Sequence, residues 1–185
     1  GGLDTTVVTG PEGVTTYSHA GPNYVSAGNV WMAGLLMSKR VAPSATAGAL
    51  STETYTWGKL KISSESYSRP GLFSTSREDS GETNQPILTR RVIAIGGANY
   101  STTYSNFDAY GNARTVAETG TNGGSRTTTL SYYINTSKWI INQVQNESFT
   151  GSSIAREFDT NGNLAKYTQD GVVTSYTYHP DGGIA

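Results

Sequence analysis

The sequence predicts an all-β fold, built as a twisted array of antiparallel β-hairpins. The chain contains 26 Thr, 21 Ser and 12 Tyr among 185 residues, and Thr and Tyr suit a half-buried pleated surface. Its 22 Gly suit tight turns between strands. No long stretch repeats apolar residues at the three- and four-residue spacing of an amphipathic helix. We therefore expect one all-β segment over residues 1–185.

In several short runs, mostly apolar or aromatic residues recur at every second position, as in strands with one face toward a core. Three predicted faces are Leu130, Tyr132 and Ile134; Ile154, Arg156 and Phe158; and Val172, Thr174, Tyr176 and Tyr178. Residues 54–63 contain two such patterns in succession, with Tyr55 and Trp57 on one face and then Leu60 and Ile62 on the other. Gly58 lies at the switch, where we expect a bulge or a sharp twist.

Turn signals separate these runs. Asn-Gly and Asp-Gly favour hairpins because both central residues of a type I′ turn need positive φ. The signals lie at 10–13, 96–97, 110–112, 122–124, 161–163, 170–171 and 181–183. From about residue 98 onward, strands and turns alternate every 8 to 12 residues, which is typical of an all-β array. We expect loops at 43–52 and, on the surface, at 74–86.

Composition excludes several classes of protein. A net charge of −1 and a pI near 6.1 argue against a dedicated nucleic-acid binder. The absence of Cys excludes disulfides and thiolate metal sites, and fits a cytosolic or large exported bacterial protein. The most apolar run, 30–37, is far shorter than the roughly 20 residues of a membrane span. Residues 1–4 do not resemble a signal peptide.

The sequence offers little support for catalysis. His19 and His179 are expected to lie in turns, and no G-x-S-x-G turn is present to hold a nucleophilic serine. Asp108 and Asp159 occupy equivalent positions of a repeat, which explains them better than a pair of glycosidase carboxylates. We therefore expect no enzyme and no catalytic residues.

Cofactor and metal binding are equally weakly supported. Asp159, Asn161 and Asn163 imitate the start of a calcium loop, but the glycine and the last acidic residue are misplaced for one. The glycine pairs at 96–97 and 123–124 do not open a helix, as phosphate-binding loops do. We therefore expect no bound cofactor and no metal.

Aromatic side chains are the best indication of binding. Ten are numerous for so polar a chain, and planar rings stack on sugar faces: Tyr24, Trp31, Tyr55, Trp57, Tyr100, Tyr104, Tyr110, Tyr132, Tyr133 and Trp139. In β-arrays, however, aromatics more often fill the sheet face and form cross-strand pairs. Binding of a glycan or a protein partner therefore stands as the alternative function.

One unit recurs along the chain. Residues 107–113 (Phe-Asp-Ala-Tyr-Gly-Asn-Ala) align with 158–164 (Phe-Asp-Thr-Asn-Gly-Asn-Leu) at an offset of 51, and 178–184 (Tyr-His-Pro-Asp-Gly-Gly-Ile) follow 20 residues later. The aromatic residue would end one strand, the polar residue would bond turn amides, and the glycine would supply positive φ. Each unit predicts one hairpin, which needs stacked neighbours for stability.

The unit, followed by Gly171, Thr174, Tyr176 and Tyr178, resembles the YD repeat of bacterial RHS proteins, toxin-complex shells and teneurins. The likeness is close over 158–184 and slightly degraded over 107–113, where Ala113 replaces the usual Leu. Residues 16–36 and 130–139 also resemble a tyrosine-to-tryptophan segment of such chains, with Trp31 and Trp139 lying 108 residues apart. We therefore expect divergent repeats over about 1–97 and clearer units over about 98–185.

The resemblance implies a spiralling strip of sheet that closes into a hollow shell around a toxic domain. A chain of 185 residues would be a wall segment of such a shell. Its location would be outside a bacterial cell or on its surface. Its partners would be the rest of the parent protein, or a second copy of itself, through exposed strand edges. The chain stops within a repeat, which favours a fragment, and 178–182 is not the family's Asp-Pro-x-Gly self-cleavage motif, so autoproteolysis is not expected.

Overall fold

The computed structural model describes residues 3–21, 25, 29–63 and 83–185, and in these ranges the chain is all-β, as the sequence predicts. Twelve antiparallel strands lie in one sheet, and their order in the sheet is their order in the sequence. They are Asp4–Gly10 (β1), Gly13–His19 (β2), Leu36–Ala42 (β3), Ser51–Ser63 (β4), Thr83–Ile95 (β5), Ala98–Phe107 (β6), Ala113–Gly120 (β7), Ser125–Asn135 (β8), Ile140–Phe149 (β9), Ser152–Phe158 (β10), Leu164–Gln169 (β11) and Val172–Ser175 (β12). Short 3-10 turns at Val30–Met32 and Thr136–Lys138 precede β3 and β9.

The chain divides into two compact units. The first comprises Gly1–Thr103 with Thr119–Gly124, and the second comprises Tyr104–Glu118 with Ser125–Ala185. Within the first, β4 and β5 form the longest pair, thirteen residues each. Within the second, β8 to β12 pair each with the next, so this unit is a run of hairpins.

The predicted turns are confirmed. Their backbone has positive φ values, which explains why glycine and aspartate lie in them. Gly96 and Gly97 join β5 to β6 with φ of 56° and 80°, and Asp170 and Gly171 join β11 to β12 with φ of 49° and 88°. Two positive φ values in a two-residue loop match the right-handed twist of the flanking strands. A further two-residue turn at 150–151, between β9 and β10, was not predicted.

The predicted bulge is displaced. Gly58 lies within a continuous β4, and the register of the β4–β5 pair shifts between Thr56 and Trp57 instead. The unpaired residue is Thr89 on β5, whose hydroxyl donates to the Thr56 carbonyl at 3.0 Å. A Cβ at Gly58 would lie 3.0 Å from the Thr89 Cγ2, so the glycine accommodates a bulge on the partner strand.

Three strand boundaries differ from the predictions. The last strand ends at Ser175, and Tyr178 instead forms an isolated bridge with Ile184. The loop expected at 43–52 ends at residue 50, because Ser51 already pairs with Ile95 in the β4–β5 ladder. Of the loop expected at 74–86, residues 83–86 belong to β5, and 74–82 lie outside the described residues.

Several side chains also lie elsewhere than predicted. Val172 and Thr174 are exposed on β12 instead of facing a core. His19 is the last residue of β2, paired with Asp4 and Leu36, and does not lie in a turn. The β-branched run before it continues the strand one residue further than expected. Ile134 is 38% exposed rather than facing a core with Leu130 and Tyr132, because the β8–β9 ladder shifts register between Tyr133 and Asn135.

Burial is shallow throughout the described residues. Among their apolar side chains, only Val14, Ala20 and Ala42 are buried, and no large side chain is fully enclosed. The chain is long enough for a sizeable core, but most strand residues here are half-buried. Contacts between neighbouring strands must therefore supply much of the stability that a core supplies elsewhere.

One such contact occurs twice in the second unit. An arginine lies between a carboxylate on the preceding strand and an aromatic ring on the following strand. The two sets are Glu118–Arg126–Phe149 on β7, β8 and β9, and Glu147–Arg156–Tyr167 on β9, β10 and β11. Each arginine therefore ties three strands together.

The second set allows a test of this role. The Arg156 guanidinium lies 3.6 Å from the Glu147 carboxylate and 5.7 Å from the centre of the Tyr167 ring, and its side chain is only 24% exposed. We expect Arg156→Ala to lower the free energy of unfolding by about 1–2 kcal/mol, through lost packing and cation–π attraction. Urea denaturation monitored by circular dichroism measures this change.

Lys166→Ala is the matched control. It removes a shorter ion pair, 2.7 Å between Lys166 Nζ and Glu157 Oε1, but the two side chains are 39% and 64% exposed. Exposed pairs contribute about 0–1 kcal/mol, so this variant should lose about 0.5 kcal/mol or less. Equal losses in the two variants would show that the arginine does not act through its strand-spanning contacts.

Candidate binding surface at the repeat turns

The first repeat turn is organised by one carboxylate. Oδ1 of Asp108 accepts hydrogen bonds from the backbone N–H groups of Tyr110 and Asn112 at 2.9 and 3.0 Å, and Oδ2 accepts from Asn112 Nδ2 at 2.9 Å. The Asp108 N–H donates to the Asn112 carbonyl at 3.0 Å, and the Gly111 N–H donates to the Asp108 carbonyl at 3.1 Å. Gly111 has a φ of 84°, which a side chain would disfavour.

The second repeat turn reproduces all five bonds. Oδ1 of Asp159 accepts from the N–H groups of Asn161 and Asn163 at 2.8 and 2.9 Å, and Oδ2 accepts from Asn163 Nδ2 at 3.0 Å. The two backbone bonds measure 2.9 and 3.0 Å. The predicted roles of the Asp and Gly positions are therefore confirmed in both turns, and the Asn position adds a side-chain hydrogen bond that was not predicted.

The third copy keeps only the backbone part of this turn. The His179 N–H donates to the Gly183 carbonyl at 2.8 Å, and the Gly182 N–H donates to the His179 carbonyl at 2.9 Å. The predicted position of His179 in a turn is thus confirmed. Its aromatic and apolar residues, Tyr178 and Ile184, pair across the turn as Phe158 and Leu164 do in the second copy.

The turn bonds keep both aspartates ionised. Burial raises the pKa of Asp108, but hydrogen bonds from the Asn112 side chain and from two backbone amides outweigh it, so the pKa is lowered. The pKa of Asp159 is lowered chiefly by the hydrogen bond from the Asn163 amide. Each carboxylate thus serves its own turn, and neither has the raised pKa of a general acid.

The calcium-like residues have the same explanation. Both oxygens of Asp159 already accept hydrogen bonds from its own turn, so Asp159, Asn161 and Asn163 form a turn in which the carboxylate serves the backbone. In the described part of the chain, no group of three or more His, Cys, Asp or Glu residues could hold a metal ion.

A further carboxylate lies in the first unit. Oε2 of Glu53 accepts from Arg91 Nε and Nη2 at 3.0 and 2.6 Å and from the Tyr55 hydroxyl at 2.8 Å. Burial raises the pKa of Glu53, but the bonds from Tyr55 and Arg91 outweigh it and lower the pKa overall. The pKa of Tyr55 is raised by burial and by the same bond. This cluster is a cross-strand tie and lacks a free acid or base.

The tip of the β8–β9 hairpin contacts both repeat turns. Asn112 Nδ2 donates to the Ile141 carbonyl at 2.6 Å, and Gln143 Nε2 donates to the Gly162 carbonyl at 3.0 Å. The Ile140 side chain fills the space beside Gly162, so a Cβ there would displace the end of that side chain. The tip is therefore fixed by the first turn and the second turn together.

Within the tip, a short helical turn is capped by Asn135. Its Oδ1 accepts from the Ser137 hydroxyl at 2.7 Å and from the Lys138 N–H at 3.3 Å. Lys138 Nζ in turn donates to Asn161 Oδ1 in the second repeat turn at 2.6 Å. We name the residues Asn135–Trp139, with Asn161, the Trp139 tip.

Trp139 combines two unfavourable features. Its backbone is left-handed, with φ 55° and ψ 35°, which costs a non-glycine residue about 1–2 kcal/mol. Its side chain is also 73% exposed, although tryptophan is usually well buried. The fold gains little from an exposed ring in a strained position, and such strain is concentrated at functional sites.

Most other aromatics have structural roles, as the sequence favours. Trp57 Nε1 donates to the Leu36 carbonyl at 2.8 Å, the Tyr132 hydroxyl donates to the Ala113 carbonyl at 2.8 Å, and the rings of Tyr133 and Phe158 lie 5.2 Å apart. Trp31, Tyr104 and Tyr110 are half-buried, Tyr100 is 51% exposed, and Tyr24 lies outside the described residues. Sequence reasoning did not separate Trp139 from this group, although Asn135 at the start of a polar run was a capping signal.

No protein-family model matches the chain, and no curated protein matches it. Among the described residues, no helix is long and apolar enough to cross a membrane.

The turn carboxylate is expected to stabilise the fold in a pH-dependent way. Asp108→Ala removes three hydrogen bonds, so the free energy of unfolding at pH 7 should fall by about 1–2 kcal/mol. Because the folded pKa lies below the unfolded value near 3.8, the contribution is complete above that value. It should disappear as the pH falls through the folded pKa. Urea denaturation at pH 7 and at about pH 2.5 measures both values.

His179→Ala is the control for this prediction. His179 occupies the position of Asp108 in the third repeat turn, which forms without a carboxylate at that position. It should change the free energy of unfolding by about 0.5 kcal/mol or less at pH 7. An Asp108→Ala loss that is equally large at both pH values would refute a role for the ionised carboxylate.

The left-handed backbone of Trp139 predicts an unusual order of stability. Trp139→Gly should keep or raise the free energy of unfolding, by up to about 1 kcal/mol, because glycine adopts positive φ without strain. Trp139→Val also removes the ring but places a β-branched residue at positive φ, so it should be about 1–2 kcal/mol less stable than the Gly variant. Thermal and urea unfolding of the pair measure this order, and equal stability would contradict it.

Proposed function

We propose that the chain is a non-catalytic structural segment of an RHS/YD-repeat protein, contributing to a β-shell that encloses or presents a toxin or effector domain outside a bacterial cell. The observation that carries this proposal is the repeated turn. Two stretches 51 residues apart form the same five hydrogen bonds around an aspartate, and each ends one strand and starts the next. A hairpin that recurs along the chain is typical of proteins built from stacked structural repeats.

The arrangement of strands supports the same proposal. Each strand pairs with its sequence neighbour, and the described residues bury few apolar side chains. The two tryptophan segments also share a local structure, since Trp31 lies in a 3-10 turn between β2 and β3 and Trp139 follows one between β8 and β9. A long extensible wall needs repeating connections of this kind more than a deep core.

Exposed strand edges supply the means of joining a larger wall. All seven residues of β1 and all four of β12 are exposed, and each strand pairs on one side only within the described sheet. Val7 is 57% exposed on β1, and Val173 is 54% exposed on β12. Asp4 is the only charged residue on the two strands. Edges with so little charge and so many β-prone residues accept a further strand, either from the rest of a parent protein or from a second copy.

Self-association through these edges tests the scaffold proposal. Light scattering over a concentration series should show reversible association of the chain, and Val7→Lys with Val173→Lys should abolish it, because charge blunts an exposed edge. The matched control is Leu50→Lys. Leu50 is 56% exposed, close to the 57% of Val7, but it lies in the loop before β4 and on no strand edge.

The two sets of variants separate the possible results. Association that survives Leu50→Lys but not the edge substitutions supports edge-to-edge pairing. Association lost equally in all variants would indicate nonspecific hydrophobic contact. A monomer at every concentration would count against a wall segment.

A second candidate is a cell-surface, adhesin-like module that binds carbohydrate or a protein partner. The exposed and strained Trp139 favours it, since neither feature serves the strand array. A monomer that binds a defined ligand through this residue would favour the second candidate over the first.

A further inference from the structure

We propose that the Trp139 tip is a carbohydrate-binding contact, in which the Trp139 indole stacks on the apolar face of a pyranose ring and Lys138 and Asn161 bond to its hydroxyl groups. The inference rests on the second candidate function, the carbohydrate-binding module, and is independent of the scaffold proposal, because the tip is fixed within the second unit alone. Its test therefore fails or succeeds separately from the test of edge association.

The backbone that carries the ring is held in place before any ligand binds. The Asn135 cap fixes the turn that precedes Trp139, and the Lys138–Asn161 hydrogen bond ties that turn to the second repeat turn. The bonds from Asn112 to Ile141 and from Gln143 to Gly162 fix the start of β9. A ligand that stacks on this ring therefore loses little affinity to ordering of the backbone that carries it.

The polar sequence that leads to the ring favours a sugar over a protein surface. The four residues before Trp139 are Asn135, Thr136, Ser137 and Lys138, all polar, although Ile134 before them is 38% exposed and Ile140 after Trp139 is half-buried. A protein partner is usually anchored by a contiguous apolar patch with a polar rim. One aromatic face among polar groups instead matches a pyranose, which offers one apolar C–H face bordered by hydroxyls.

Lys138 and Asn161 retain bonding capacity for those hydroxyls. The Lys138 ammonium group has three donors, of which the bond to Asn161 uses one. The Asn161 side chain amide has two donors of its own, and its Oδ1 is the acceptor of that bond. The pair therefore offers donors in fixed positions. An ammonium group also accommodates a sugar carboxylate, so both neutral and acidic pyranoses are included.

The first step of the test is an array of immobilised oligosaccharides that covers neutral hexopyranoses, N-acetylhexosamines and acidic sugars. The wild-type chain should bind at least one of these classes. The affinity for that oligosaccharide is then measured in solution by calorimetry and by tryptophan fluorescence. Because Trp31 and Trp57 are half-buried, the bound sugar should reduce acrylamide quenching chiefly at Trp139.

Variants then assign the binding to the tip. Trp139→Ala should weaken binding at least tenfold, and Trp139→Tyr should retain it within a few-fold, since it keeps an aromatic face. Lys138→Ala should weaken binding severalfold. Tyr100→Ala is the matched control, because Tyr100 is a 51% exposed aromatic in the first unit, and it should leave binding unchanged.

Trp139→Gly distinguishes loss of the binding ring from loss of binding through unfolding. It should lose binding while its melting temperature stays equal to or above that of the wild type. No binding by the wild-type chain to any array class would overturn the proposal. So would binding that Trp139→Ala leaves intact, or a surface at the tip that captures a protein and no sugar.

Discussion

The structure depends on one interaction, the bond of a turn aspartate to the amides of its own hairpin. A carboxylate that accepts two backbone N–H groups and an asparagine amide fixes both the width and the closing pair of the turn. This matters more here than in a globular domain, because the described residues bury almost no large side chain. Where no core fixes the register of two paired strands, the turn between them must fix it.

The remaining stability comes from contacts that span strands. The carboxylate–arginine–aromatic sets each join three strands, and Glu53 joins Arg91 and Tyr55 across the β4–β5 pair. Such ties act between neighbours only, so each added hairpin is stabilised mainly by the one before it. The same arrangement leaves the outermost strands exposed, which suits a part of a larger assembly better than an isolated domain.

The sequence predicted the features that depend on local chemistry. Gly96-Gly97 and Asp170-Gly171 predicted their hairpins because the ease with which they adopt positive φ does not depend on a partner strand. Features set by a partner strand were predicted less well. The bulge near Gly58 belongs to Thr89 on β5, and β12 ends at Ser175 although alternation continues to Tyr178. At the candidate site, the repeat predicted the turns but not that they would hold the β8–β9 tip, since Asn112 and Gly162 meet Ile141 and Ile140 only after folding.

The proposed scaffold and the proposed binding surface are compatible in this architecture, because the same turns would serve both. The second repeat turn closes its hairpin through Asp159 while its Asn161 side chain reaches Lys138, so the bond that supports the tip costs the turn none of its own hydrogen bonds. Strain at Trp139 is tolerated because bonds that do not involve its ring fix the chain on both sides, the Asn135 cap before it and the bonds of Ile141 and Gln143 after it. A scaffold alone would be relieved of that strain by glycine or asparagine at this position. The tryptophan at this position is therefore the observation on which the proposed role in recognition rests, beside the proposed role in construction.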